Sequence, residues 1–253
     1  MIDLHSHLLP AVDDGSRSVE QSVGVLREMA RVGVTDVCLT PHVRASSTTS
    51  PPPARHDEAF RALVAEAPAA PRLHRGSEVM LDRPLAGDSK AIRQFTLGGT
   101  RYVLVEFPRM VALDTVTNAL TRVGESGLVP LLAHPERYTC CSPEAVSLWR
   151  ELGGRMQVDS TTLLSPQARG KRARELVSLG LADIIAGDNH GDKRTIAIGV
   201  GFLVEQDGTE QAELLAVRNP GAILRDQPLT PVPPIRLRQS LMQKIRDMLE
   251  GDQ

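Results

Sequence analysis

Seven histidines stand at positions 5, 7, 42, 56, 74, 134 and 190 of this 253-residue chain, and most of them lie beside acids at the ends of apolar runs. The chain opens with IDLHSHLLPAVDDG, in which His5 and His7 alternate by two. On an extended strand both imidazoles then project from one face, a disposition that suits a borderline transition metal. Asp13 and Asp14 follow before Gly15, where an acid can also cap the next helix. Further along, LTPH supplies His42, GSEV supplies Glu78, and YVLVEFP sets Glu106 inside an apolar run. LLAHPER then supplies His134, and IIAGDNH supplies Asp188 and His190. Each of these lies at the C-terminal end of a strand-like run, the rim where ligands and chemistry assemble in parallel α/β architectures. An ionised carboxylate placed like Glu106 carries a heavy desolvation cost, and metal coordination is the compensation that fits all the positions together. Independent roles as core histidines or capping acids would need one coincidence per strand. Nine candidate ligands, namely His5, His7, Asp14, His42, Glu78, Glu106, His134, Asp188 and His190, are too many for a single zinc, which takes three or four. A cluster of two or three divalent ions with bridging carboxylates fits the count. Mixed imidazole and carboxylate donors favour manganese, iron or zinc over calcium or copper.

These residues need strands to carry them. Strand-like runs occur at Ile2–His5, Thr35–Thr40, Leu73–Val79, Tyr102–Phe107, Val129–Ala133, Arg155–Val158 and Asp183–Ala186. Stretches of helical period lie between them, the clearest being Val19–Val32. There Ser18 and Gln21 have the capping-box spacing, Val19, Val23, Leu26, Met29 and Ala30 form one apolar stripe, and Gly33 stops the helix. Others are His56–Ala67, Leu113–Glu125, Pro143–Leu152, Pro166–Leu179 and Gln211–Arg218. Strand and helix alternating about seven times imply an α/β fold with a parallel sheet, either doubly wound or closed into a barrel. RASSTTSPPPAR (Arg44–Arg55), polar, small and proline-rich, reads as a mobile loop. After TPVPP a basic helix restarts, with Leu237, Leu241, Ile245 and Leu249 at four-residue spacing. With no internal repeat and no second core, one domain over residues 1–230 is expected, and 231–253 form a helical tail packed on it or at an interface.

Composition narrows the function classes. The net charge of -2 and the 3% aromatic content argue against a nucleic-acid binder, which would be basic and would offer rings for base stacking. No run of about 18 apolar residues is present, so no membrane insertion is expected. The start lacks a basic leader with an apolar stretch, and Cys38, Cys140 and Cys141 make no disulfide framework, so a cytoplasmic location is expected. His56 and His74 fit no position of the constellation and read as structural or surface residues; Cys140 and Cys141 read as ordinary loop residues.

HSH, TPH, GSE, EFP, AHPER and GDNH, in this order over roughly the first three quarters of the chain, resemble the polymerase-and-histidinol-phosphatase (PHP) superfamily. MIDLHSHLLPAVDDGSRS with LTPH and AHPERY is similar to the CpsB/YwqE-type manganese-dependent bacterial protein-tyrosine phosphatases. The resemblance implies a distorted seven-stranded (β/α) TIM-like barrel and a trinuclear metal centre formed by the nine candidates. It also implies hydrolysis of phosphotyrosine on the tyrosine-rich tail of a bacterial tyrosine kinase that regulates capsular or exopolysaccharide synthesis. The chain departs from the family pattern at Val43, where a second histidine often follows TPH, in GDNH where SDAH is usual, and in the composition of Arg44–Arg55.

A dianionic phosphomonoester needs its charge offset and a strong nucleophile. A bidentate arginine would clamp the phosphoryl group. Arg137, in AHPER, is the leading candidate and matches the family arginine; its alternative is a salt bridge with Glu136. Arg194 is the second candidate, with Lys193 as competitor. His42 or His190 exchanging roles, or a water, could protonate the leaving group. Two further readings remain open at this point: a small-molecule phosphomonoesterase of the histidinol-phosphatase type, and a non-catalytic metal-binding regulatory module. The sequence also leaves room for a homo-oligomer.

Overall fold

The computed structural model describes residues 1–85 and 92–238. Strands β1 (Ile2–Ser6), β2 (Asp36–Leu39), β3 (His42–Arg44), β4 (Arg72–Arg75), β5 (Glu78–Met80), β6 (Tyr102–Glu106), β7 (Val129–Ala133), β8 (Arg155–Asp159) and β9 (Ile184–Ala186) are all paired in parallel. They form two ladders, β1-β2-β4 and β3-β5-β6-β7-β8-β9. One break falls inside the expected strand Leu73–Val79, and the other just after the expected Thr35–Thr40, beyond which β3 adds an unexpected strand. Pro41, which has no N–H to donate, separates β2 from β3, and Gly76 separates β4 from β5. A Cβ at Gly76 would stand 2.9 Å from both Cys38 Sγ and a Leu97 methyl, so only glycine lets the chains approach there. The two breaks lie side by side and are bridged, because the Gly76 N–H donates to Leu39 O and the Glu78 N–H to Pro41 O.

Seven strand paths therefore run in ring order, and the last meets the first through a reduced seam. It consists of one parallel bridge, Ser6 to Asn189, together with the Gly187 N–H donating to the Asp3 carboxylate. Ladder bonding is not continuous around the ring. Along the strands the core alternates: Leu104, Leu131 and Ile184 belong to one cluster, and Val103, Val105, Leu132 and Ile185 to another. That period of two is the signature of a sheet covered on both faces. Glu106 and Asp159 close their strands, beyond the apolar residues that fill the interior.

Helices α1 (Val19–Arg31), α2 (Ala54–Glu66), α3 (Leu113–Glu125), α4 (Pro143–Glu151), α5 (Ala168–Ser178), α6 (Ile196–Glu205), α7 (Thr209–Glu213) and α8 (Asn219–Leu224) connect the strands. The Ser18 side chain caps α1 by accepting from the Gln21 N–H at 3.2 Å. Two helices depart from expectation. IAIGVGFLVE has no polar face to betray a helix, yet α6 forms from it behind a Thr195 cap. Beyond the expected helix Gln211–Arg218, proline is tolerated in a first turn, so a π-turn (Leu214–Arg218) leads directly into an unexpected α8 that begins Asn219-Pro220. The expected loop 44–55 is likewise more structured: Arg44 belongs to β3, Ala45–Ser47 make a short 3-10 turn, and Ser46 donates twice to Asp82. Residues 231–238 run without helix, with Val232 packed into the core; Leu241, Ile245 and Leu249 lie outside the described residues. Among the described residues no helix is long and apolar enough to cross a membrane.

Candidate metal centre

The C-terminal ends of the strands and the loops just beyond them converge on one bowl. His5 Nε2 stands 3.2 Å from His7 Nε2, 3.2 Å from Glu78 Oε2 and 3.3 Å from Asp188 Oδ1. His7 Nε2 in turn is 3.3 Å from the same Glu78 oxygen and 3.4 Å from the same Asp188 oxygen. Four donors bound at 2.0–2.2 Å to one tetrahedral ion stand about 3.3–3.6 Å apart, so this spacing matches a coordination shell. Glu78 reaches two more ligands: its Oε2 lies 3.1 Å from His42 Nδ1 and its Oε1 2.9 Å from His134 Nε2. His42 Nδ1 is also 3.0 Å from Glu106 Oε1, and His42 Nε2 and His190 Nε2 flank Asp14 Oδ1 at 3.4 and 3.5 Å.

All nine candidates thus fall into four overlapping groups able to hold a metal: His7, Asp14, His42 and His190; His5, Glu78 and His134; His5, His7 and Asp188; and His42, Glu78 and Glu106. Because His5, His7, His42 and Glu78 each belong to two groups, the bowl is continuous rather than a set of separate pockets. Asp14 alone stands well out in solvent, at 69% side-chain exposure, on the open side.

Partners behind the ligands fix their orientation. His7 Nδ1 pairs with Asp13 Oδ2 at 2.8 Å, and His5 Nδ1 pairs with Gln157 Oε1 at 2.9 Å, so that each ring turns Nε2 toward the centre. His134 sits at φ 36°, a left-handed turn that swings its ring off the end of β7 into the bowl. Asp188, at φ 47°, is turned in the same way after β9.

The charges are mutually dependent. Burial opposes ionisation of Glu78, but the His5 charge and bonds from His134 and His42 hold its carboxyl well below the usual range. Burial likewise opposes Asp188, and His5, His7 and Arg137 outweigh it and hold that carboxyl low. His5 and His7 are driven up by the acids in spite of burial, and His42, facing Glu106 and Glu78, is pushed up to about 10. His190 goes the other way, lowered by burial and by His7. Protons here occupy the positions that a cation would neutralise.

The arginines do not stand free. Arg137 Nη2 donates to Asp159 Oδ2 and to Asp188 Oδ2, both at 2.6 Å, and not to Glu136. Glu136 is fully buried and is pushed up to about 8 by burial and by Asp159. Arg194 Nε donates to Asp192 at 2.8 Å, and its Nη1 lies 3.6 Å from Asp188 Oδ2. Both guanidiniums therefore border the bowl on the Asp188 side. His56 is buried in the first turn of α2, and His74 pairs with Asp36 on β2, away from the centre. Cys140 and Cys141 are free thiols, which burial pushes up, Cys141 to about 12.

Sequence reasoning passes over Asp13, Gln157 and Asp159. Gln157 and Asp159 are visible as polar residues at the end of RMQVD, the one strand that gives no ligand. Asp13 is hidden by its neighbour Asp14, since either acid could be the ligand.

Comparison with known proteins agrees with the geometry. The chain is 29% identical to tyrosine-protein phosphatase CpsB of Streptococcus pneumoniae over 243 residues, covering 90% of this chain and 99% of that protein. It is 26% identical to tyrosine-protein phosphatase YwqE of Bacillus subtilis over 246 residues, covering 92% and 95% respectively. A crystal structure from work on YwqE from Bacillus subtilis and CpsB from Streptococcus pneumoniae, described as unique metal-dependent tyrosine phosphatases, superposes with a TM-score of 0.74 at 24% identity. That superposition covers 94% of this chain and all of the solved one, and it establishes the shared α/β fold. The family profile described as "Capsular polysaccharide synthesis, CpsB/CapC" matches residues 1–225, and the chain belongs to that family.

Proposed function

We propose that this protein is a metal-dependent protein-tyrosine phosphatase that acts in capsular or exopolysaccharide synthesis. The observation that carries this reading is the convergence of nine imidazole and carboxylate ligands on one bowl at the strand ends. We assign all nine as ligands of two or three divalent ions, manganese first, with iron or zinc as alternatives. The donor set fits: it is oxygen and nitrogen only, it is spaced like a coordination shell, and Glu78 belongs to two of its groups. Bound divalent ions supply acidification of water toward a pKa of about 7 and positive charge for the phosphoryl oxygens.

The chain's own residues supply the rest. Gln157 and Asp13 hold the His5 and His7 rings, and Arg137 holds Asp188 while its buried Nε has no hydrogen-bond partner. Arg137 and Arg194 bind and orient the phosphate oxygens on that side. His42 and His190 flank the exposed Asp14 at the open side, where a water, or one of these imidazoles once it has exchanged its ligand role, can hand a proton to the departing phenolate. A phenol with a pKa of about 10 needs that proton less than an alkyl alcohol would.

The substrate is a phosphorylated tyrosine-rich tail of a bacterial tyrosine kinase in the cytoplasm, in keeping with the tyrosine-phosphatase names of the relatives and the capsule-synthesis family. Residues 1–230 form the catalytic unit and 231–253 an appended tail. The test is turnover of p-nitrophenyl phosphate and of phosphotyrosine peptides with Mn2+, beside a panel of small phosphomonoesters, with and without chelator. Manganese-dependent turnover that favours the phosphotyrosine peptides is expected; chelator-resistant turnover, or preference for an alkyl phosphate, contradicts the proposal.

A further inference from the structure

The segment that carries Asp188 and His190 continues outward to α1 and leaves a groove of about 400 Å3 against that helix. One wall is apolar, made by Val25, Met29 and Val32, with the exposed Gly24 also lining the groove; the other is the loop bearing Lys193 and Arg194. Gly24 lies inside α1, where glycine weakens a helix relative to alanine. No crowding requires it, since a Cβ at Gly24 would meet nothing within 4 Å. The missing side chain keeps the groove open.

The groove is built by bonds independent of any ligand. Gln21 Nε2 donates to Gly191 O at 2.8 Å, and Asn189 Nδ2 donates to Asp192 O and Arg194 O, which pins the loop across α1. Its charges are nearly cancelled. Arg31 pairs with Glu28 and Arg194 with Asp192, each at 2.8 Å, and Lys193 has no acidic partner among the described residues. One uncompensated cation thus stands above an apolar wall. Arg194 links this groove to the metal bowl, because the same side chain that lines it reaches to 3.6 Å from Asp188 Oδ2.

We propose that the groove seats the peptide chain flanking a phosphotyrosine, taking an apolar side chain against Val25, Met29 and Val32 and a neighbouring carboxylate at Lys193. This rests on the protein-tyrosine phosphatase reading above. One arginine side chain spans bowl and groove, so at ~3.3 Å per extended residue the recognised pair lies about two to four residues from the phosphotyrosine.

The test uses the manganese-loaded full chain and phosphotyrosine peptides with or without a Leu-Asp pair at those positions, with p-nitrophenyl phosphate as the groove-independent substrate. Burying one leucine is worth about tenfold in affinity, so the wild type should show a KM about tenfold lower for the Leu-Asp peptides. Gly24→Leu, which fills the groove, and Val25→Gln, which makes its wall polar, should each erase that preference while p-nitrophenyl phosphate turnover stays unchanged. Absence of a preference in the wild type, or its survival in Val25→Gln, overturns the groove assignment alone. If Gly24→Leu also loses p-nitrophenyl phosphate turnover, Val25→Gln decides. A wild type inactive on every phosphate ester overturns the phosphatase reading, and the groove assignment with it.

Discussion

Replacing Asp13 by asparagine removes one charge and changes no shape. Asp13 Oδ2 accepts from His7 Nδ1 at 2.8 Å and from the His42 N–H at 3.1 Å, while Oδ1 accepts from the Gly15 N–H at 3.0 Å. Three donors thus face one carboxylate. An asparagine side chain has one oxygen and one NH2, so one orientation sets the NH2 against Gly15 and the other sets it against both His7 and His42. In the second orientation His7 loses the partner that turns Nε2 to the bowl, and in the first it keeps only an uncharged, weaker acceptor. Outer partners of ligating histidines are worth about 10–100-fold in metal affinity, or about 1.4–2.7 kcal/mol. Titration gives a second measure. Burial opposes ionisation of Asp13, but His7 and the two backbone donors lower its carboxyl from 3.8 to about 2. At 1.36 kcal/mol per unit this is about 2.5 kcal/mol of stability in the metal-free protein, fully present above pH 3.8 and lost as pH falls through about 2. The assays are a Mn2+ binding isotherm at pH 7 and urea unfolding of the chelated protein. Asp13→Asn should bind Mn2+ about 10–100-fold more weakly and unfold about 2 kcal/mol more easily. Wild-type metal affinity in the variant would refute the orienting role.

Three further outcomes follow from the same site. Metal uptake at pH 7 should release protons, because His42, pushed up to about 10, and His5 and His7, also raised, are protonated in the metal-free protein. Calorimetric titration in two buffers of different ionisation enthalpy reads that release, and affinity should fall as pH drops. Glu136→Gln should remove a pH-dependent cost: the folded carboxyl sits near 8 against 4.5 unfolded, so wild-type stability declines as pH rises between those values. That difference is roughly 5 kcal/mol at most, and the variant should be the more stable protein at pH 8 in thermal unfolding. Arg137→Ala should cost about 3–5 kcal/mol in the chelated protein, because Asp159 and Asp188 both lose their guanidinium, and it should lower kcat with little recovery in Arg137→Lys.

The positions that carry the chemistry are legible because a titratable residue ending an apolar strand is costly to bury unless a partner or an ion offsets its charge. HSH, GSE, YVLVE and AHPER each announce a strand end and a donor together, and the structure sets those donors within bonding distance of one another. What stays hidden depends on contacts far apart in the chain. Gln157 becomes meaningful only when β8 lies across from β1, and the arginine pairing of Asp159 needs His134 in its left-handed turn so that Arg137 points back. The fold shows the same division. The period of two locates the seven strand paths, but Pro41 and Gly76 break two of them for steric reasons that single runs do not express. The apolar α6 and the proline-led α8 escape because each lacks the amphipathic stripe that reveals a helix such as α1.

The metal centre and the activity it supports are read together by counting bound metal against phosphotyrosine turnover in one preparation, for the wild type and for the double variant His5→Ala, His7→Ala. Two or three divalent ions per wild-type chain are expected, with turnover abolished by chelator and restored by Mn2+. In the double variant, loss of metal is expected together with at least about a 1000-fold fall in kcat, since several kcal/mol of charge stabilisation go with the ions. Full turnover in the chelated wild type, or in the double variant, would contradict the metal-dependent phosphatase reading.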